Sequence, residues 1–162
     1  MLRLVLGGQG SGKSDLAMER FLADPGPHVL LATGSALDQC FRDRILAHRA
    51  RRAPELPVRE TGAELPAALH DCAHMGGVLV DSLDFWVHAA PGRAQELLDV
   101  LDLLPKVRVT VVSSEISLGP VAASAQVRAF VRELGLLHQA LAARSQEAVL
   151  CVAGLPVPLK RG

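Results

Sequence analysis

The N-terminal stretch Leu2-Arg3-Leu4-Val5-Leu6-Gly7-Gly8-Gln9-Gly10-Ser11-Gly12-Lys13-Ser14 joins a strand-sized apolar run to a glycine-rich loop and then to a segment of helical period. From Gly7 to Ser14 it spells G-x-x-x-x-G-K-S, the phosphate-binding P-loop. Glycines let backbone N–H groups turn toward phosphate oxygens without a Cβ clash, and the helix that follows adds the partial positive charge of its N-terminus. In this reading Gly7, Gly8, Gln9, Gly10, Ser11, Gly12, Lys13 and Ser14 bind the nucleotide. Lys13 reaches the β- and γ-phosphates, and the Ser14 hydroxyl joins the coordination of Mg²⁺.

Working outward, strand-sized apolar runs alternate with longer helical segments. That pattern predicts an α/β fold with a mainly parallel sheet covered by helices on both faces, of the P-loop NTPase (RecA-like) type. Strands are expected over Leu2–Leu6, His28–Ala32, Gly77–Asp81, Lys106–Ser113, Ala148–Ala153 and Val157–Lys160. Helices are expected from Lys13 to about Leu22, from Ala36 to Arg52, Glu64 to His74, Ser82 to Ala90, Ala94 to Leu103 and Ser124 to Gln146. With 162 residues, about half of them apolar, the chain is read as one domain, 1–162.

Seventeen basic residues balance seventeen acidic ones, so any anion site must be local rather than a general electrostatic field. Aromatic residues make up 3% and Tyr is absent, which argues against stacked single-strand recognition and leaves nucleic acid out of the expected partners. No apolar run is membrane-sized, and the N-terminus lacks the long apolar region of a signal peptide, so a cytoplasmic location is expected. Cys40, Cys72 and Cys151 are odd in number and far apart, and are read as reduced thiols.

Asp81 ends an apolar strand, where P-loop sites take a second, metal-side carboxylate; the competing reading is an N-cap for the helix beginning near Ser82. Glu115 also ends a strand, at the carboxyl edge where open α/β sheets bind ligands, with function and turn chemistry equally weighted. A further segment carries Arg42, Arg44, His48, Arg49, Arg51 and Arg52, a basic face around one His, which suits a polyphosphate or is simply a solvated cationic face.

In order, these motifs resemble the bifunctional adenosylcobinamide kinase / adenosylcobinamide-phosphate guanylyltransferase family of cobalamin biosynthesis. The resemblance runs nearly end to end. It is carried by Leu6-Gly7-Gly8 through Asp15, Ala32-Thr33-Gly34-Ser35, Arg44-Ile45-Leu46-Ala47-His48-Arg49, Val78 to Leu83 with Trp86, and Ser114-Glu115 with Leu118-Gly119. Arg128, Phe130, Arg132, Gly135 and Gln139, then Val152-Ala153-Gly154-Leu155-Pro156 with Leu159-Lys160, complete it.

The resemblance implies phosphorylation of the aminopropanol hydroxyl of adenosylcobinamide, then transfer of GMP from GTP to the resulting phosphate through a guanylyl-histidine. His48 matches the nucleophile, with Lys13 the second catalytic residue. Thr33, Gly34, Ser35, Arg49, Arg51, Arg52 and Asp81 join the nucleotide site, and Ser14 and Asp81 hold Mg²⁺. GTP or ATP and adenosylcobinamide or its phosphate are the implied partners, and a homotrimer the implied assembly. Where the family pattern has Cys, Thr and Asn after its strand-end Asp, this chain has Ser82, Asp84 and His88; Val58-Arg59-Glu60-Thr61-Gly62 replaces a segment with Trp and Glu. Two other readings stand beside this one: a P-loop kinase of another small alcohol, and a nucleotide- or corrinoid-binding protein without turnover.

Overall fold

The computed structural model describes residues 1–34 and 56–160. The predicted helix over 36–52, and with it Ser35, His48, Arg49, Arg51 and Arg52, lies outside the described residues.

In chain order the elements are β1 (Leu2–Gly7), α1 (Lys13–Leu22), β2 (His28–Ala32), β3 (Val58–Glu60), a 3₁₀ turn (Gly62–Glu64), α2 (Leu65–Asp71), β4 (Gly77–Asp81), α3 (Leu83–Ala89), α4 (Ala94–Asp102), β5 (Arg108–Ser114), α5 (Ala125–Arg144), β6 (Glu147–Val152) and β7 (Leu155–Lys160). The described strands form one sheet in the order β3-β2-β4-β5-β1-β6-β7. All neighbouring pairs are parallel except β6 with β7.

Both faces of this sheet are covered, which is why its strands read as continuous apolar runs rather than alternating ones. Val5, Leu30, Leu79, Val112 and Val149 face α1, burying Ala17 and Phe21. Their neighbours Leu4, Leu31, Val80 and Val111 face the other way, against Leu69, Trp86, Leu97, Leu134 and Leu141 of α2 to α5. Trp86 is fully buried, and its indole N–H donates to the Ala63 carbonyl at 3.0 Å. Trp86→Phe removes that bond and leaves a small void, so it is expected to lower stability by about 1–2 kcal/mol, read as a shift in the urea midpoint.

The amino-terminal edge of the sheet is tied by charge. Arg3 makes a two-pronged contact with the nearly buried Asp24, at 2.6 and 2.9 Å, and Arg108 stands 3.6 Å from the same carboxylate. This end is locked, and the opposite, carboxyl edge is where the loops of interest lie.

Three expectations need correction. The strand β3 is absent from the sequence reading: Val58-Arg59-Glu60 is short and polar, and it becomes a strand only by pairing with the edge of β2. The helix expected over Glu64–His74 starts as a 3₁₀ turn and is α-helical only from Leu65 to Asp71. The last turn is also one step earlier than expected. Ala153 and Gly154 both adopt positive φ, at 51° and 79°, the backbone of a tight two-residue hairpin, so Leu155 and Pro156 already belong to β7. Pro156 and Pro158 are tolerated there because β7 is an edge strand with one side unpaired.

Candidate functional site

β1 delivers the chain to the carboxyl edge of the sheet, and α1 begins at Lys13. Between them Gly10 and Gly12 take positive φ of 71° and 87°, which only glycine adopts without strain. Gly12 is also confined in space, since a Cβ there would lie 3.2 Å from the Gly154 Cα. The loop is closed by Ser11 N–H donating to the Gly8 carbonyl at 3.2 Å. It is held from outside by Gly154 N–H donating to the Ser11 carbonyl at 2.8 Å, a carbonyl that Cys151 Sγ also contacts at 3.0 Å.

Lys13 is 8% exposed, and its ammonium donates to the Gly8 carbonyl at 3.2 Å, so the side chain folds back along the loop it is expected to serve. Ser14 follows in the first turn of α1 and is half-buried. The Ser11 hydroxyl is buried without a hydrogen-bond partner.

Asp81 ends β4 and is half-buried. β5 lies between its strand and β1. Ser82, with extended backbone, and not Asp81, occupies the cap position of α3, and the Ser82 side chain makes no cap bond. Thr33 is buried; its N–H donates to the Asp81 carbonyl at 3.3 Å and its hydroxyl to the Ser82 carbonyl. It therefore fastens the end of β2 to the end of β4, with Gly34 buried next to it. P-loop, Thr33-Gly34, Asp81 and Glu115 all follow parallel strands out of the same edge.

His138 has no neighbour in sequence that completes a constellation. In the fold its Nε2 meets Ser113 Oγ at 2.8 Å and its Nδ1 stands 3.6 Å from Glu115 Oε2. Only helical register on α5 could have hinted at this, since Leu134, Leu137, His138 and Leu141 share the buried face. Burial holds His138 below its ordinary pKa, only partly opposed by Glu115 and Asp84. For Glu115 burial pushes the pKa upward, but the Ser117 hydroxyl and N–H and the nearby His138 outweigh it and the carboxyl is held below its ordinary value.

Both shifts make the folded state bind fewer protons than the unfolded chain. The His138 contribution is thus complete above about pH 6.5 and is lost as pH falls from there through its lowered folded value. The Glu115 contribution follows below about pH 4.5. Stability measured by urea unfolding is expected to decline between pH 7 and 5, and His138→Gln to flatten that stretch.

The fold and loop define a P-loop nucleotide-binding α/β protein. A solved structural neighbour, a prototypical ATPase from the type III secretion system of pathogenic bacteria, superimposes with a TM-score of 0.62 at 12% identity, covering 97% of this chain and 56% of its own. Residues 3–159 match the family described as cobinamide kinase / cobinamide phosphate guanyltransferase. A relative in Pseudomonas aeruginosa, bifunctional adenosylcobalamin biosynthesis protein CobP, is 40% identical over 99% of this chain and 98% of its own. Another, from Escherichia coli, bifunctional adenosylcobalamin biosynthesis protein CobU, is 29% identical over 99% and 100%. The chain belongs to the cobinamide kinase / cobinamide phosphate guanyltransferase family, a kinase and nucleotidyltransferase family of cobalamin biosynthesis.

Proposed function

We propose that this protein phosphorylates adenosylcobinamide and then transfers GMP from GTP to the product through a guanylyl-His48 intermediate. The observation that carries the reading is the intact phosphate loop, with Gly10 and Gly12 in left-handed conformations and Lys13 folded along it, in a chain matched from end to end by the family.

In the first step the loop amides and Lys13 hold the triphosphate while the acceptor hydroxyl attacks the γ-phosphorus. In the second, a neutral imidazole nitrogen of His48 attacks the α-phosphorus of GTP; the N–P bond forms as the bond to pyrophosphate breaks. The corrinoid phosphate then attacks the same phosphorus, freeing His48. Arg49, Arg51 and Arg52 supply positive charge for the transferring group, and Thr33, Gly34 and Ser35 complete the nucleotide site. Ser14 and Asp81 are both half-buried oxygen donors, of the hard type Mg²⁺ selects, and would hold it against the phosphates. Bound there, the ion would neutralise phosphate charge as it moves to the leaving group.

Among the described residues no helix is long and apolar enough to cross a membrane. A cytoplasmic location, where GTP and ATP are supplied, belongs to this proposal. So does a homotrimer, for which Leu155, Val157 and Leu159 on the edge strand are exposed apolar surface that a partner copy would cover.

The test is to incubate the protein with Mg²⁺ and α-labelled GTP, and separately with γ-labelled nucleotide and adenosylcobinamide. The first should give an acid-labile, base-stable protein label that adenosylcobinamide phosphate discharges, and the second a labelled corrinoid. No protein label rejects the guanylyl-histidine route, and no labelled corrinoid rejects the kinase step.

A further inference from the structure

Burying polar side chains costs free energy unless each finds a partner, so a chain of them beneath an open groove fixes the orientation of whatever stands at its exposed end. Such a chain runs under the end of β5. Ser113, wholly buried, bonds His138 Nε2 at 2.8 Å, and His138 Nδ1 lies 3.6 Å from Glu115 Oε2. Glu115 Oε1 takes the Ser117 N–H at 2.8 Å and the Ser117 hydroxyl as well. Ser113 is out of reach of any substrate, and the exposed end of the chain is Glu115, whose side chain retains 15% exposure.

That carboxylate opens on a groove of about 480 Å³ between the end of β1 and α5, lined also by Leu6, Val131, Arg132, Leu136 and Gln139. Its backbone is fastened to the phosphate loop: Glu115 N–H donates to the carbonyl of Gly7, the first P-loop residue, at 3.0 Å. A residue needed only for its turn would be satisfied by Ser117. A buried histidine beneath it, itself anchored by a buried serine, adds nothing to a turn and much to aim.

We propose that Glu115 is a catalytic residue on the acceptor side of the phosphoryl-transfer step, and that the groove seats the hydroxyl-bearing arm of the acceptor. This rests on the function proposed above. The acceptor oxygen forms its bond to the γ-phosphorus while the bond from that phosphorus to the β–γ bridging oxygen breaks, and the nucleoside diphosphate departs with the electron pair. The hydroxyl proton passes to Glu115 and from there to water. A carboxylate of low basicity suffices, because in a loose phosphoryl transition state there is little bonding to the nucleophile and positioning matters more than base strength. The groove lies on the α5 side of the sheet and α1 on the other, so acceptor and phosphate loop do not compete for space. His138 acts through Glu115 and is a positioning residue.

The experiment compares wild type, Glu115→Gln, Glu115→Asp and His138→Gln in γ-phosphoryl transfer to adenosylcobinamide, with nucleotide affinity read from a fluorescent GTP analogue. Glu115→Gln keeps the shape and is expected to lower kcat about 10²-fold while nucleotide KM and affinity stay within about twofold. Glu115→Asp, one methylene short, should show the same split, and His138→Gln a roughly tenfold loss confined to kcat. Wild-type kcat in Glu115→Gln and Glu115→Asp, or kcat and nucleotide affinity falling together, overturns the inference alone. Wild type that transfers no phosphoryl group removes the proposed kinase function and the inference with it.

Discussion

His48→Ala is expected to abolish the covalent label from α-labelled GTP altogether, while nucleotide affinity changes by no more than a few-fold. The imidazole supplies the bond-forming atom, and no methyl group substitutes for it, so the loss should be complete rather than graded. Binding should survive because its main determinants, the loop amides and Lys13, belong to the described carboxyl edge of β1 and α1. Phosphoryl transfer to adenosylcobinamide does not pass through His48 and should persist. The measurements are label retained after denaturing gel filtration, fluorescent GTP titration and γ-label transfer. Residual label at wild-type level would move the nucleophile elsewhere, and loss of all three would mean a folding defect.

Lys13→Ala should behave differently and damage both transfers. Lys13 is 8% exposed and its ammonium is already directed along the loop to the Gly8 carbonyl, so little reorganisation precedes its meeting a phosphate. Removing one such pre-placed charge from a transferring phosphoryl group is expected to cost about 10³-fold in kcat for phosphorylation, with a parallel fall in guanylylation and in nucleotide affinity. Lys13→Arg should rescue little, since a planar fork does not replace a compact point charge at the end of a flexible stem. Steady-state kinetics with nucleotide titration separate this pattern from that of His48→Ala, in which binding is spared.

Much of the fold was legible because a doubly covered parallel sheet writes its strands as unbroken apolar runs. Leu2–Gly7, His28–Ala32 and Gly77–Asp81 stand within one residue of where the runs place them, and α1 begins at the P-loop lysine. What the runs do not contain is their order across the sheet. Nothing in Arg108–Ser114 states that this strand slips between β1 and β4, and so separates Asp81 from the phosphate-loop strand while putting Glu115 beside it. The same gap hid His138, whose partners Ser113 and Glu115 are 25 and 23 positions away in the chain. Short Val58–Glu60 was hidden for another reason: its strand character comes from the neighbouring edge, not from its own residues.

The contact between Gly154 and the phosphate loop has a mechanical meaning. The Ser11 carbonyl takes the Gly154 N–H, and a Cβ at Gly12 would press on the Gly154 Cα at 3.2 Å. The phosphate loop, early in the chain, and the hairpin at Ala153-Gly154, late in it, are thus joined by a hydrogen bond and a close backbone contact. A substitution that shifts the Ala153-Gly154 turn is therefore expected to disturb the anion cradle as well, which ties the geometry of residues 7–14 to the placement of a hairpin about 140 positions further along the chain.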